Sequence, residues 1–180
     1  MLQIKIEDTE LFDEIRQQFV PIKGQTLQLE HSLVSISKWE AKWHKPFLSA
    51  EPKTREETVD YIRFMTMTQN VNPALYSLIT NRHIEIVNKY IEDPMTATTF
   101  KKQEGKGSSA KVITSEEIYY YLVAYQIPFE CQKWHFNRLM TLIRICDEKN
   151  KPKKKMRKGD IAKQRSSLNA ARRAKYGTKG

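Results

Sequence analysis

Cysteine is scarce in this chain of 180 residues: only Cys131 and Cys146 occur. Both fall on predicted helices, and a bridge between them would have to join distant turns of one continuous helix, which disulfide geometry forbids. Reduced thiols in a cytoplasmic compartment are therefore expected. Long hydrophobic runs are also missing. No stretch approaches the roughly 20 apolar residues that a membrane-spanning helix needs, so no membrane partner is expected. The opening MLQIKIEDTE has neither a basic n-region nor an apolar h-region, and no secretory leader is expected from it.

Catalytic constellations are equally thin. The segment GKGSS, from Gly105 to Ser109, lacks the Walker spacing and follows no predicted strand. Cys131 and His135 stand at i, i+4 on a predicted helix, a spacing that metals use. The other histidines, His31, His44 and His83, are scattered, and no second Cys or His pair follows at finger spacing. A buried structural role is the expectation for the pair. A thiol nucleophile at Cys131 would lack an orienting third group. The acidic pairs Glu56-Glu57 and Glu116-Glu117 sit in first helical turns, where they suit the helix dipole rather than proton transfer. These absences together read as a non-enzyme without metal or cofactor.

What is present is a division of charge. The formal net charge is +10. Residues 149–180 hold thirteen Lys and Arg against the single Asp160, leaving eighteen basic and twenty acidic residues in positions 1–148. The chain thus reads as a near-neutral globular domain over 1–148, with a flexible loop at about 101–111, followed by a basic arm over 149–180. The arm's cations include Lys151, Lys153, Lys154, Lys155, Arg157, Lys158, Lys163, Arg165, Arg172, Arg173 and Lys175. Asp160 is placed to cap a last helix closed by Gly177, with Ile161, Leu168 and Ala171 as a thin apolar stripe. The arm's bland reading is a solvated tail. Its functional readings are sequence-independent binding of a phosphate backbone and folding onto an acidic protein surface.

Periodicity fills in the domain. Leu2, Ile4 and Ile6 alternate with polar residues, as do Leu27 and Leu29, which predicts two paired strands. Between them, Leu11, Phe12, Ile15 and Phe19 fall at helical spacing and predict a short helix or helical turn. Ser32 is set to cap a helix carrying Leu33, Ile36, Trp39 and Trp43 and ending before Pro46. Thr54 and Glu57 form a capping box for a helix with Val59, Ile62 and Met65 on its stripe. A helical turn is expected at ALYSLI, and Thr80 opens a helix with Ile84, Val87 and Ile91 inward. Thr114 and Glu117 suggest another capping box, starting the first of two helices joined at Pro128. Ile118, Tyr121, Leu122 and Tyr125 line the first, and Phe136, Leu139, Ile143 and Cys146 the second. The expected fold class is α+β, mainly α-helical, with a small N-terminal sheet.

Aromatics concentrate around this helix pair. Three consecutive tyrosines, Tyr119 to Tyr121, must point to different sides of a helix, so at least one faces solvent. Tyr and Trp favour interfaces, and Trp39, Trp43, Tyr119, Tyr120 and Trp134 are the candidate partner-binding aromatics. The competing reading for each is core packing.

Four stretches resemble phage tail-morphogenesis proteins of the tail assembly chaperone kind. They are LEHSLVSISKWEAKWHKPFL (Leu29 to Leu48), TVDYIRFM (Thr58 to Met65), YIEDPMTATTF (Tyr90 to Phe100) and LNAARRAKYGTKG (Leu168 to Gly180). The resemblance implies a non-enzymatic protein of the host cytoplasm that binds the helical tape-measure protein, or another tail component, during assembly. It carries over no individual functional residue. Alternatives are a permanent structural component of the virion tail and a nucleic-acid-binding accessory protein anchored by its basic arm.

Overall fold

The computed structural model describes residues 1–14, 17–100, 112–151 and 158–177. It is a mainly helical α+β fold, and the backbone divides into two units, Met1–Cys146 and Asp147–Gly180. The loop expected at 101–111 lies outside the described residues.

Strand β1 (Leu2–Ile6) pairs antiparallel with β4 (Gln25–Leu29), Ile4 opposite Leu27 and Leu2 opposite Leu29. The alternation read from the sequence sends Ile4, Ile6, Leu27 and Leu29 into the core. The far edge of β4 is not left open. Glu30 N–H donates to the Met65 carbonyl at 2.9 Å, Met67 N–H to the Gln28 carbonyl at 2.7 Å, and Gln28 N–H to Thr68 Oγ1 at 2.8 Å. Gly24, just before β4, is required by close approach: a Cβ there would lie 2.2 Å from the Ile6 carbonyl oxygen.

The helix expected between these strands is not formed. Thr9–Asp13 (β2) and Gln18–Ile22 (β3) make a second antiparallel pair, with Phe12 opposite Phe19 and Leu11 opposite Val20. The spacing of Leu11, Phe12 and Phe19 imitates a helical stripe. However, aromatic and β-branched residues favour a pleated surface, and Pro21 opposes an interior helical turn. The hairpin brings both rings to one exposed face, edge-to-face at 5.2 Å. Such a pair adds about 0.5–1 kcal/mol to the hairpin. Ile15 lies outside the described residues.

Helix α1 (Leu33–Trp43) starts at Ser32, whose hydroxyl accepts from Ser35 N–H, and ends at His44 in the left-handed region. Helix α2 (Arg55–Met65) has the expected Thr54–Glu57 capping box. The Pro73–Leu78 segment is a 3-10 turn. Helix α3 (Asn81–Glu92) is capped by Thr80. Leu33, Ile36 and Trp39 on α1 and Ile62 and Met65 on α2 are fully buried, and α1 packs on α2. Trp39 Nε1 donates to the Glu57 carbonyl at 2.9 Å, and Lys42 pairs with Asp60 across the same contact.

The C-terminal part of this unit departs from the simple helix pair. Helix α4 (Ser115–Ala124) buries Ile118 and Leu122 as expected, but Thr114 makes no side-chain cap. The acceptor comes from α1. Glu40 Oε2 accepts Ser115 N–H at 2.8 Å while its Oε1 accepts Phe47 N–H at 2.7 Å. Pro128 opens a short 3-10 segment, Phe129–Lys133, and helix α5 (Phe136–Asn150) begins only afterwards. Cys131 therefore lies in the 3-10 segment and His135 in the linker to α5, so they do not share a helix face. Both cysteines are free. Replacing Glu40 by Ala leaves two buried N–H donors without an acceptor and should cost about 3 kcal/mol. Urea unfolding of Glu40→Ala measures it, and a change under about 1 kcal/mol would remove Glu40 from this role.

Candidate protein-binding surface

The five candidate aromatics do not form one surface. Trp39 is only 1% exposed and belongs to the core, which corrects its placement among surface aromatics. Its indole packs edge-on against Phe47, with ring centroids 5.2 Å apart. Trp43 is half-buried beside it, with the Lys42 ammonium 5.1 Å from its ring centre. Tyr119 is half-buried and donates from its hydroxyl to Gln132 Oε1 at 2.9 Å, tying α4 to the following 3-10 segment. Trp134 is half-buried under the Arg138 guanidinium, 4.3 Å from the ring centre. Tyr120 alone among the five stands free in solvent, at 67% exposure.

The residues that accompany Tyr120 outward are not among the five candidates, although Phe129 belongs to the same aromatic cluster of the sequence. Val123, one turn on, is 62% exposed, and Phe129 in the 3-10 segment is 53% exposed. Val123 betrays itself in the sequence only by falling off the stripe of Ile118, Tyr121, Leu122 and Tyr125. The outward face of α4 also carries Glu116. Phe12 and Phe19 make a further exposed aromatic pair, hidden from sequence reading by the misread hairpin.

Beneath the helices lies a buried polar cluster. The His31 and His135 rings sit 5.2 Å apart, edge-to-face. His31 Nδ1 shares a hydrogen bond with the Tyr61 hydroxyl at 2.5 Å, and Ser35 Oγ lies 3.3 Å from that hydroxyl. His135 Nε2 donates to the Tyr90 carbonyl at 3.1 Å, and its buried Nδ1 has no partner. Tyr90 in turn donates to Glu30 Oε1 at 2.8 Å. Burial, and secondarily the nearby His135, push His31 down to about 3. Burial also lowers His135, against the opposing pull of the Tyr90 carbonyl. Two neutral rings with one orphan acceptor describe a packed joint more than a reaction centre. Among the described residues, no group of three His, Cys, Asp or Glu could hold a metal ion.

No protein-family model, curated protein or solved structure matches this chain. The site must therefore be read from its own chemistry.

The arm, taken by itself, contributes helix α6 (Lys158–Tyr176), closed by Gly177 in the left-handed region. Asp160 lies within this helix rather than at its N-cap, because the helix already begins at Lys158. Lys163, Arg165, Arg172, Arg173 and Lys175 are exposed. Helical geometry places Ile161, Arg165, Leu168, Arg172 and Lys175 along one side. Lys151 pairs with Asp147 at 2.7 Å. Lys153, Lys154, Lys155 and Arg157 lie outside the described residues, as does the side chain of Lys158. Among the described residues, no helix is long and apolar enough to cross a membrane.

The histidine joint gives a signed pH dependence. Its folded pKa values lie below the unfolded value of 6.5, so its stabilisation is complete above that pH and drains away as pH falls toward 3. His31 alone should remove about 2 kcal/mol between pH 7 and pH 5. The measurement is urea unfolding at both pH values for the wild type and a His31→Gln/His135→Gln variant. The variant should lose clearly less stability over that interval, and equal losses would contradict a neutral buried pair.

Proposed function

We propose that this protein is a non-enzymatic assembly factor of phage tail morphogenesis, binding a helical tail component such as the tape-measure protein in the manner of a tail assembly chaperone. The observation that carries this reading is the outward set Tyr120, Val123 and Phe129 on a short, firmly anchored helix and its 3-10 extension. Large apolar side chains on a folded surface mark a place where another macromolecule removes water. Tyrosine and phenylalanine supply contact area at low entropic cost, and Glu116 leaves a polar rim. The tail-morphogenesis assignment comes from the sequence resemblance, and the surface supplies its means.

The test is capture from infected cells. A Tyr120→Ser/Val123→Ser/Phe129→Ser variant should fold with unchanged helicity and retain at least tenfold less of the tail component. Equal capture would place binding elsewhere, and stoichiometric protein in purified particles would make it a permanent tail part.

A second reading has its own support in the exposed cations along one side of α6. Binding of random duplex DNA would then weaken linearly on a log–log salt plot, with a slope of about −0.9 per neutralised phosphate. It should vanish on removing residues 151–180. Affinity that survives the removal would dismiss the arm as a nucleic-acid anchor.

A further inference from the structure

The two strand pairs belong to one ribbon. The register runs on from Ile6 opposite Gln25 to Thr9 opposite Ile22 with no residue gained or lost on either side. At the joint, Asp8 Oδ1 accepts Gly24 N–H at 2.7 Å. The outer half, β2–β3, is rooted in the body by one of its faces: Ile22 is buried and Leu11 packs against the core. A two-stranded hairpin is marginal in water by itself, and this rooting holds it in place.

The opposite face is turned to solvent. Alternation along the strands puts Glu10, Phe12, Phe19 and Pro21 on it, and all four are exposed. Phe12 and Phe19 are 53% and 66% exposed, so both rings stand largely in water. Apolar surface left wet on a folded element marks a place where something else covers it.

Charge and ring chemistry together select the occupant. Residues 7–14 hold five acids, Glu7, Asp8, Glu10, Asp13 and Glu14, and no Lys or Arg. Glu7 pairs with Lys5 at 3.0 Å and Asp8 is committed to Gly24. Among the described residues, Glu10 and Glu14 have no ion-pair partner. Glu10 also lines a shallow hollow of about 470 Å³ with Asp8, Thr9, Pro21, Ile22 and Lys23, where two carboxylates face one cation. Elsewhere four half-buried rings lie under cations of this chain. Lys42 is 5.1 Å from the ring centre of Trp43, Arg63 5.9 Å from Tyr76, Arg138 4.3 Å from Trp134 and Arg144 3.8 Å from Phe100. Phe12 and Phe19 lie under none among the described residues. An acidic patch repels nucleic acid and anionic lipid, and the hairpin of a second copy would repeat its charges. It attracts a cation that can lie flat on a ring while bonding a carboxylate, and guanidinium does both.

We infer that the outer face of the β2–β3 hairpin binds an arginine-bearing basic segment of a partner protein, with a guanidinium stacked on the Phe12–Phe19 pair and paired with Glu10. This goes beyond the assembly reading, since it concerns a different face from Tyr120 and its neighbours and does not depend on a tail component.

The probe is a fluorescein-labelled peptide of about twelve residues that alternates arginine with serine. A twin carries lysine at the same positions. Anisotropy titrations at low salt use the full-length wild type, Phe12→Leu/Phe19→Leu and Glu10→Lys. The two peptides have equal charge, so a preference for arginine reports stacking rather than bulk attraction. The wild type should bind the arginine peptide roughly fivefold tighter than its twin. The leucine pair keeps the apolar bulk of the face and should erase that preference. Glu10→Lys should weaken both peptides roughly tenfold. Both variants should melt like the wild type, because all three positions are exposed. Equal affinity of the wild type for the two peptides, or a preference kept by the leucine pair, would overturn the inference. Self-association that the leucine pair abolishes, with neither peptide bound, would overturn it in favour of a second copy. The Tyr120→Ser/Val123→Ser/Phe129→Ser variant should keep the arginine preference whether or not it captures the tail component. Its loss there would overturn the inference and leave the assembly reading standing.

Discussion

The Glu40 carboxylate joins parts of the chain that sequence distance keeps far apart. One oxygen takes the N–H of Phe47, seven residues on, and the other takes the N–H of Ser115, seventy-five residues on. A buried carboxylate is costly unless its oxygens are satisfied, and here both bonds are charge-assisted and one lies at the positive end of a helix. The consequence is orientation. With its first turn tied to α1, α4 must turn Ile118 and Leu122 inward, which leaves Tyr120 and Val123 no place but the outside.

Similar polar ties recur wherever elements distant in sequence meet. Trp39 reaches a carbonyl of α2, His135 and Asn137 reach carbonyls at the end of α3, and Phe136 N–H reaches the His31 carbonyl at 2.7 Å to start α5. Apolar burial supplies most of the drive to fold, but it is indifferent to rotation of a helix about its axis. Directional hydrogen bonds are not. They hold α3 in register with α5, and they decide which apolar side chains remain for a partner.

The legible parts of the sequence were those with a local cause. Alternation in Leu2–Ile6 and Gln25–Leu29 announced strands, and side-chain caps at Ser32, Thr54 and Thr80 announced helices. The errors share a cause as well. Phe12 and Phe19 are neighbours across a hairpin, and their spacing reads equally well as a helical stripe. Thr114 and Glu117 have the form of a capping box, but the acceptor arrives from another helix. Trp39 was placed on a surface because its residue type favours interfaces, and its position against Phe47 and Glu57 made it core. Only Tyr120 of the expected aromatics stands free, since three adjacent tyrosines cannot all face one way.

The sequence by itself determined the class of fold, the concentration of positive charge beyond residue 148, and most helix starts, because each depends on residues within a few positions of one another. Tertiary structure alone decided which aromatics face water, that Glu40 rather than Thr114 holds the start of α4, and that Thr9–Asp13 and Gln18–Ile22 pair as a hairpin. Those outcomes depend on contacts made through space. Such contacts pair groups as far as tens of residues apart, and no local pattern in the chain records which pairs will meet.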